Sequence, residues 1–339
     1  MNIFNDSIAN KKNKFIMDEF IKYYEYIYAN QDILNKPSNE IYYKLMNIKK
    51  IITIIKNYKN DIDMDELEKI NKIKGVGIKS INRIKEILET GKLSEIQILQ
   101  KKQDAVNELT KIYGIGPKKA IDLYNKNITT IQELIDSKHE LTYPQKISIQ
   151  YYKNTCDKIP KIDILKLEIW LHELFIKKDN NYIVIICGSY RREKDFSKDI
   201  DILITHKNLL HLKECDKILV DAINILKKNN YLVDDLQLHG KNHYQGYAKI
   251  DKMSDDKNFK LNVVRTDIIV VPIDSLFTAL MHFTGSALFN EKIRGIAKSK
   301  SLKLNEYGLF KNNKPFKINS ENDIFVKLNI PYVAPEDRN

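Results

Sequence analysis

Cysteine is almost absent from this chain. Its 339 residues include three, Cys156, Cys187 and Cys215, and no two are spaced as CxxC. Such an odd, scattered set supports neither a disulfide framework nor a zinc site, and it suits a reducing compartment. Long apolar runs are also lacking. The longest are strand-sized, short of the roughly 20 residues a membrane span needs. The amino-terminal stretch MNIFNDSIANKKNKF has no apolar signal core. The chain therefore reads as soluble and intracellular, with no membrane partner. Acidic residues are in deficit, 45 against 56 Lys and Arg, for a net charge of +11. That surplus favours a polyanionic partner, nucleic acid ahead of an anionic membrane. The one tryptophan, Trp170, reads as core.

Against these absences, 43% of the residues are hydrophobic, enough to build several small domains with real cores. The first half has helical periodicity. Leu45, Ile48, Ile51, Ile52 and Ile55 recur at the spacing of a buried helix stripe. Lys44, Lys49, Lys50, Lys56 and Lys59 flank it, either as a solvated face or as a phosphate-contacting one. Two similar segments follow, Ile73-Lys74-Gly75-Val76-Gly77-Ile78-Lys79 and Ile112-Tyr113-Gly114-Ile115-Gly116-Pro117-Lys118-Lys119. Each places a G-h-G turn between helical patterns, and Pro117 suits a first helical position. One such turn is an ordinary connection. Two, each followed by lysine in a basic chain, form helix-hairpin-helix units. These bring free backbone N–H groups to a phosphate and grip DNA without reading its sequence.

From about residue 160 the pattern becomes mixed α+β. The apolar run Tyr182–Cys187 leads into Gly188-Ser189-Tyr190-Arg191-Arg192, and Asp199-Ile200-Asp201 follows inside a second apolar run. Side chains two apart in a strand share a face. Asp199 and Asp201 therefore project together, opposite Ile200, Ile202 and Ile204. A later strand, Asn262–Val271, puts Arg265 and Asp267 on one face. Two carboxylates about 4 Å apart repel by roughly 4 kcal/mol at an effective dielectric of 20. Three such groups in one site imply a cation, and hard oxygen donors select Mg²⁺ or Mn²⁺. Two ions can support in-line displacement at phosphorus, with Ser189 and Arg192 placed to hold phosphates. His239 and His243 lie in a polar stretch read as a loop or hairpin, and Met1–Phe15 reads as a mobile tail.

The GSYRR…DIDILIT stretch resembles the nucleotidyltransferase superfamily. RTDIIV, HFTGSALFN (His282–Asn290), LNEYGL (Leu304–Leu309), the Asp323-Ile324-Phe325 segment and Pro331-Tyr332 follow in order. Together they resemble the family X DNA polymerases, of the beta type, over nearly the whole length. The resemblance implies a lyase-like helical DNA-binding domain with helix-hairpin-helix (1–96), a helical duplex-binding subdomain (97–148), a catalytic palm (149–273) and a small α/β nucleotide-side subdomain (274–339). It implies that Asp199, Asp201 and Asp267 ligate two Mg²⁺ ions, with Mn²⁺ as a substitute, and that Arg265 orients them. Lys146, Gly188, Ser189, Arg192, Ser197, Lys198, His282, Phe283, Gly285 and Asn290 match positions around the incoming dNTP. Lys44, Gly75, Val76, Gly77, Lys79, Arg83, Gly114, Ile115, Gly116, Lys118, Lys119, Arg294 and Tyr307 match DNA-side positions. Backbone carbonyls of Asn71, Ile73, Val76, Thr110, Ile112 and Ile115 would hold Na⁺ or K⁺ at the two turns. Gapped or primer-template DNA is the implied partner of a monomer, and a repair ligase is a candidate. The implied location is the nucleus, or the cytoplasm for a viral source.

Departures from the pattern carry information. Where beta-type enzymes have Asp, Tyr and Arg, this chain has Ala287, His282 and Ile269, which implies reduced fidelity. The lysine that those enzymes use to form a Schiff base with a 5′-deoxyribose phosphate corresponds to Arg83. Arginine keeps its proton, and neither Lys79 nor Lys44 has an evident means of losing one, so lyase activity is expected to be weak or absent. Two alternatives stay open: a template-independent or RNA-tailing nucleotidyltransferase, and a non-catalytic DNA-binding scaffold.

Overall fold

A computed structural model describes residues 8–34, 36–137, 139–153, 155, 158–237, 241–249 and 263–338. Cys156 and His239 lie outside the described residues. The chain divides into two compact units, Met1–Glu140 and Leu141–Asn339.

The first unit is helical: α1 (Lys14–Ala29), α2 (Ser38–Asn57), α3 (Leu67–Asn71), α4 (Ile78–Thr90), α5 (Ser94–Leu109), α6 (Pro117–Tyr124) and α7 (Ile131–Asp136). The stripe read on α2 is its buried face, packed with Ile16, Phe20, Tyr23 and Ile27 of α1 into one core. Of the expected mobile tail, residues 1–7 lie outside the described residues, and the part from residue 8 on is held in place. Asn13 is buried and its side chain accepts the Ile62 N–H at 2.9 Å. Asn10 and Lys12 reach Asp61 at 2.7 and 2.5 Å, which ties this end to the loop after α2. Residue 96 falls in the first turn of α5, so the chain runs helical across 96/97.

The second unit opens with α8 (Tyr143–Tyr151), which also spans 148/149, then β1 (Ile159–Pro160), α9 (Lys161–Lys178), β2 (Tyr182–Ile186), the one-turn α10 (Gly188–Arg191), β3 (Phe196–Ser197) and β4 (Asp199–His206). There follow α11 (Cys215–Lys228), β5 (Leu232–Gln237), β6 (His243–Lys249), β7 (Val263–Val270), α12 (Leu276–Thr284), α13 (Ala287–Ser299), β8 (Lys303–Asn305), β9 (Gly308–Lys311), β10 (Lys314–Pro315) and α14 (Glu321–Lys327). The main sheet has the order β2-β4-β7-β6-β5, with β4 and β7 parallel and the other neighbours antiparallel.

Ile200, Ile202 and Ile204 pack against α9 and α11, and Trp170 rests on that core beside Tyr231. Leu203, on the aspartate side of β4, is capped by Ala279 and Leu280 of α12. Thus one face of β4 carries Ile200, Ile202 and Ile204 before ending in His206, whereas the other carries the two aspartates before Leu203 and Thr205. The α13, α14 and β8–β9 segments share a separate small core. The polar stretch around His243 is the second strand of a hairpin, β6 antiparallel to β5, as one of the two readings had it: Tyr244 is buried, with its hydroxyl on Asp235 at 2.6 Å. Among the described residues, no helix is long and apolar enough to cross a membrane.

Candidate active site

Parallel pairing of β4 and β7 puts Asp199 beside Arg265 and Asp201 beside Asp267. Three carboxylates from strands more than sixty positions apart thus share one end of the sheet. Arg265 ion-pairs with Asp199. Gln245, facing Asp267 across the β6–β7 pair, donates to its Oδ2 at 3.1 Å. The other Asp267 oxygen, Oδ1, is buried with no hydrogen-bond partner. Burial, with Asp199 and Asp267 nearby, pushes Asp201 up to about 7. Burial also raises Asp267, partly offset by Gln245 and Arg265. Among the described residues, no group of three His, Cys, Asp or Glu side chains is already drawn into a metal-binding arrangement. The donor set nonetheless fits a divalent cation: all hard oxygen, crowded with like charge, and with a buried carboxylate oxygen left unpaired.

The phosphate-side residues approach the same strand end. The Cys187 N–H donates to the Asp201 carbonyl at 2.8 Å, joining the start of α10 to β4. Gly188 has φ +59°, and a Cβ there would lie 2.1 Å from Asp201 Oδ2. Only glycine allows the turn and the carboxylate to come this close. Ser189 Oγ donates to Ser197 Oγ at 2.7 Å, so two predicted phosphate ligands converge. Lys198, between them and Asp199, is exposed. Arg192 Nη1 bonds the Thr284 carbonyl at the end of α12, and a Cβ at Gly285 would come within 3.2 Å of that nitrogen.

Lys146 is not brought to this cluster. It sits on α8, which packs on β5, separated from β4 by β7 and β6. The basic residue the sequence reading missed is Lys158. It immediately precedes Ile159, which pairs directly with Ser197. Its signal was present, a lysine before the Ile-Pro that opens α9, but the short β1–β3 pairing could not be foreseen. Gln245 left no signal.

On the adjoining subdomain, Asn290 donates to the His282 carbonyl at 2.7 Å, and the Phe283 ring packs edge-on to His282. Arg294 donates to His282 Nδ1 at 3.1 Å and lies 3.8 Å from Glu306. Burial, then Arg294, lowers the His282 pKa. The Tyr307 hydroxyl meets Asn242 at 3.2 Å. Behind the phosphate turn, Arg191 pairs with the buried Glu321, which also holds the wholly buried Arg338 at 2.7 Å. None of that cluster was foreseen.

In the first unit, the two G-h-G turns share a backbone. Gly75 and Gly114 have φ +96° and +77°. Val76 N–H bonds the Ile73 carbonyl and Ile115 N–H the Ile112 carbonyl, each at 3.0 Å. Gly77 and Gly116 are extended caps of α4 and α6. Asn71 ends α3, Thr110 follows α5, and Lys118 and Lys119 are in the first turn of α6. A cleft of about 680 Å³ beside the first turn is lined by Lys36, Lys44, Lys79 and Arg83. Arg83 holds Glu95 through Nε at 2.8 Å and Nη2 at 3.1 Å, over the Tyr23 ring. Burial opposes its charge, but Glu95 and Tyr23 outweigh that and raise its pKa. Lys44 departs from expectation: burial lowers its pKa, although Glu95 lies 4.0 Å away.

Comparisons with known proteins agree with this geometry. Residues 158–273 match the DNA polymerase beta palm, residues 279–339 the DNA polymerase beta thumb, and residues 107–155 the fingers domain of DNA polymerase lambda. A solved polymerase beta from Leishmania infantum, a ternary P/T complex, is 30% identical with a TM-score of 0.62. It covers 70% of this chain and 98% of its own. The chain belongs to the family X DNA polymerases. Other family X relatives include DNA polymerase lambda of Rattus norvegicus, 27% identical over 312 residues and 87% of this chain. That of Arabidopsis thaliana is 26% identical over 335 residues and 90% of this chain. The chain spans 52% and 62% of the length of those two lambda relatives.

Proposed function

We propose that this chain is a DNA-directed DNA polymerase that fills short gaps during base-excision-type repair. The observation that carries the reading is the in-register pair Asp201–Asp267, with an unpartnered buried carboxylate oxygen, beside the converging Ser189 and Ser197. Asp199, Asp201 and Asp267 would hold two divalent ions, Mg²⁺ or Mn²⁺, which when bound favour ionisation of a primer 3′-hydroxyl and neutralise charge on the departing pyrophosphate. The chain's own residues then position and screen. Ser189, Ser197 and Arg192 bind the dNTP phosphates, with Lys158 in the place expected of Lys146. Arg265 restrains Asp199, and Gln245 fixes Asp267. His282, Phe283, Gly285 and Asn290 border the sugar and base, and Arg294 and Tyr307 face the DNA. The paired turns grip DNA backbone through α4 and α6, with Na⁺ or K⁺ on the six carbonyls, and binding weakens with salt.

Arg83, committed to Glu95, cannot act as an amine, so we expect little 5′-deoxyribose-phosphate lyase activity despite the lowered pKa of Lys44. The deciding substrate is a one-nucleotide gap bearing a 5′-deoxyribose phosphate. Templated, Mg²⁺-dependent insertion, lost in Asp267→Ala and without borohydride-trapped product, is the expected result. Extension without a template would favour a terminal transferase, absence of any extension a scaffold, and efficient trapping would overturn the lyase reading.

A further inference from the structure

Six arginines occur in the chain. Four are held by carboxylates: Arg83 by Glu95, Arg265 by Asp199, and both Arg191 and Arg338 by Glu321. Arg192 and Arg294 differ. Arg192 donates to the Thr284 carbonyl. Arg294 donates from Nη2 to His282 Nδ1 at 3.1 Å, while Glu306 stands off at 3.8 Å, beyond hydrogen-bond range. These two are the arginines that the polymerase reading sets against a phosphate and against DNA. A carboxylate partner would offset the charge needed there. A neutral acceptor restrains the guanidinium and leaves its charge whole.

The hold depends on the protonation of one nitrogen. Arginine has donors only. Nδ1 of His282 must therefore be bare, and the neutral ring carries its proton on Nε2. A proton on Nδ1 would remove the acceptor and set two cations side by side. The charged groups acting on the ring are Arg294 from α13 and Glu306 from the turn between β8 and β9, the first against protonation and the second for it. Burial acts with Arg294 and is the largest influence, so the ring protonates below the ordinary 6.5. Asn290, one turn before Arg294 on the same face of α13, donates to the His282 carbonyl at 2.7 Å. Backbone and ring of one residue at the end of α12 are thus gripped from one face of the next helix. We propose that His282 is a positioning residue for Arg294: the neutral ring holds the guanidinium in place for DNA, and a proton on Nδ1 frees it, so that selection of the correct nucleotide weakens in acid. What Arg294 meets rests on the polymerase reading, whereas the hold rests on geometry alone.

Two measurements test this. The first is nitrogen-15 NMR of the full chain, labelled at histidine and free of DNA, with the His282 signals assigned by their loss in His282→Phe. At pH 8 they are expected to show a single tautomer with Nδ1 bare. Arg294→Ala should admit both tautomers and raise the pH at which the ring titrates. A ring of mixed tautomer, or one indifferent to Arg294→Ala, overturns the proposal and leaves the polymerase reading untouched. The second is the ratio of kcat/KM for the correct nucleotide to that for an incorrect one in single-gap filling. Asp199, Asp201 and Asp267 serve both nucleotides, so their titration cancels in this ratio. From pH 8 to pH 5 the wild-type ratio is expected to fall about tenfold, the worth of one hydrogen bond to a charged group. His282→Gln, whose side-chain oxygen accepts at every pH, should keep the ratio flat. His282→Phe should sit at the low value throughout. A wild-type ratio that does not change with pH overturns the proposal. So does His282→Phe as selective as wild type at pH 8, or a fall in His282→Gln as steep as in wild type. If the chain extends no primer, the polymerase reading fails, and the tautomer alone decides whether His282 holds Arg294.

Discussion

Replacing Asp201 with asparagine should destroy activity and stabilise the metal-free protein. The reason is that this carboxylate is buried beside Asp199 and Asp267, and burial first, then their charge, pushes it from 3.8 up to about 7. A displacement of that size is worth on the order of 4 kcal/mol between the two protonation states, shared within a coupled set of acids. The sign follows from linkage. The folded-state value is raised, so the contribution is intact below about 4, where both states are protonated. As pH rises toward about 7, the unfolded chain ionises first and stability falls, and above that the loss is complete. Asp267, also raised by burial, adds in the same direction. Asparagine keeps the shape and carries no charge. Urea unfolding in chelator, followed by the fluorescence of Trp170 beside Tyr231 in the same core, reads this directly. Wild type should lose stability from pH 5 to pH 8 and regain it with Mg²⁺. Asp201→Asn should change less over that range, be the more stable at pH 8, and ignore Mg²⁺. If Asp201→Asn were no more stable than wild type at pH 8 in chelator, the account of three carboxylates held at a cost until a cation arrives would be wrong.

Three further outcomes are expected. Gly188→Ala adds a Cβ 2.1 Å from Asp201 Oδ2 at φ +59°. It should cost about 1–2 kcal/mol in backbone strain and displace Asp201, so metal-dependent extension should fall far more than the urea midpoint. Glu321→Ala leaves Arg338, wholly buried, facing Arg191 without their shared carboxylate. A loss of roughly 3–5 kcal/mol in equilibrium unfolding is expected, and a change under 1 kcal/mol would show that the cluster is not a stabilising one. Lys158→Ala should raise KM for the nucleotide in single-gap filling with kcat less affected, while Lys146→Ala leaves KM near wild type. The reverse ranking would return the phosphate contact to Lys146.

Much of this molecule is legible in its order of residues, because many of its signals are local. A period near 3.6 exposes the buried stripe of α2, and G-h-G turns declare their helix caps. A period of two puts Asp199 and Asp201 on one face and the three isoleucines on the other, and the core packing follows that division. Around His243 the hairpin reading holds, with β6 laddered on both sides. The local reading failed at residues 10–13, which are fixed by Asp61 and Ile62, some fifty positions away. What the tertiary structure alone decided is register. Whether Asp267 stands beside Asp201, Gln245 beside Asp267, or Lys158 rather than Lys146 near Ser197 depends on how distant strands slide before they lock. A shift of one residue would turn each side chain to the opposite face. Hydrophobic packing across the whole sheet sets that choice, and no local pattern in the sequence encodes it.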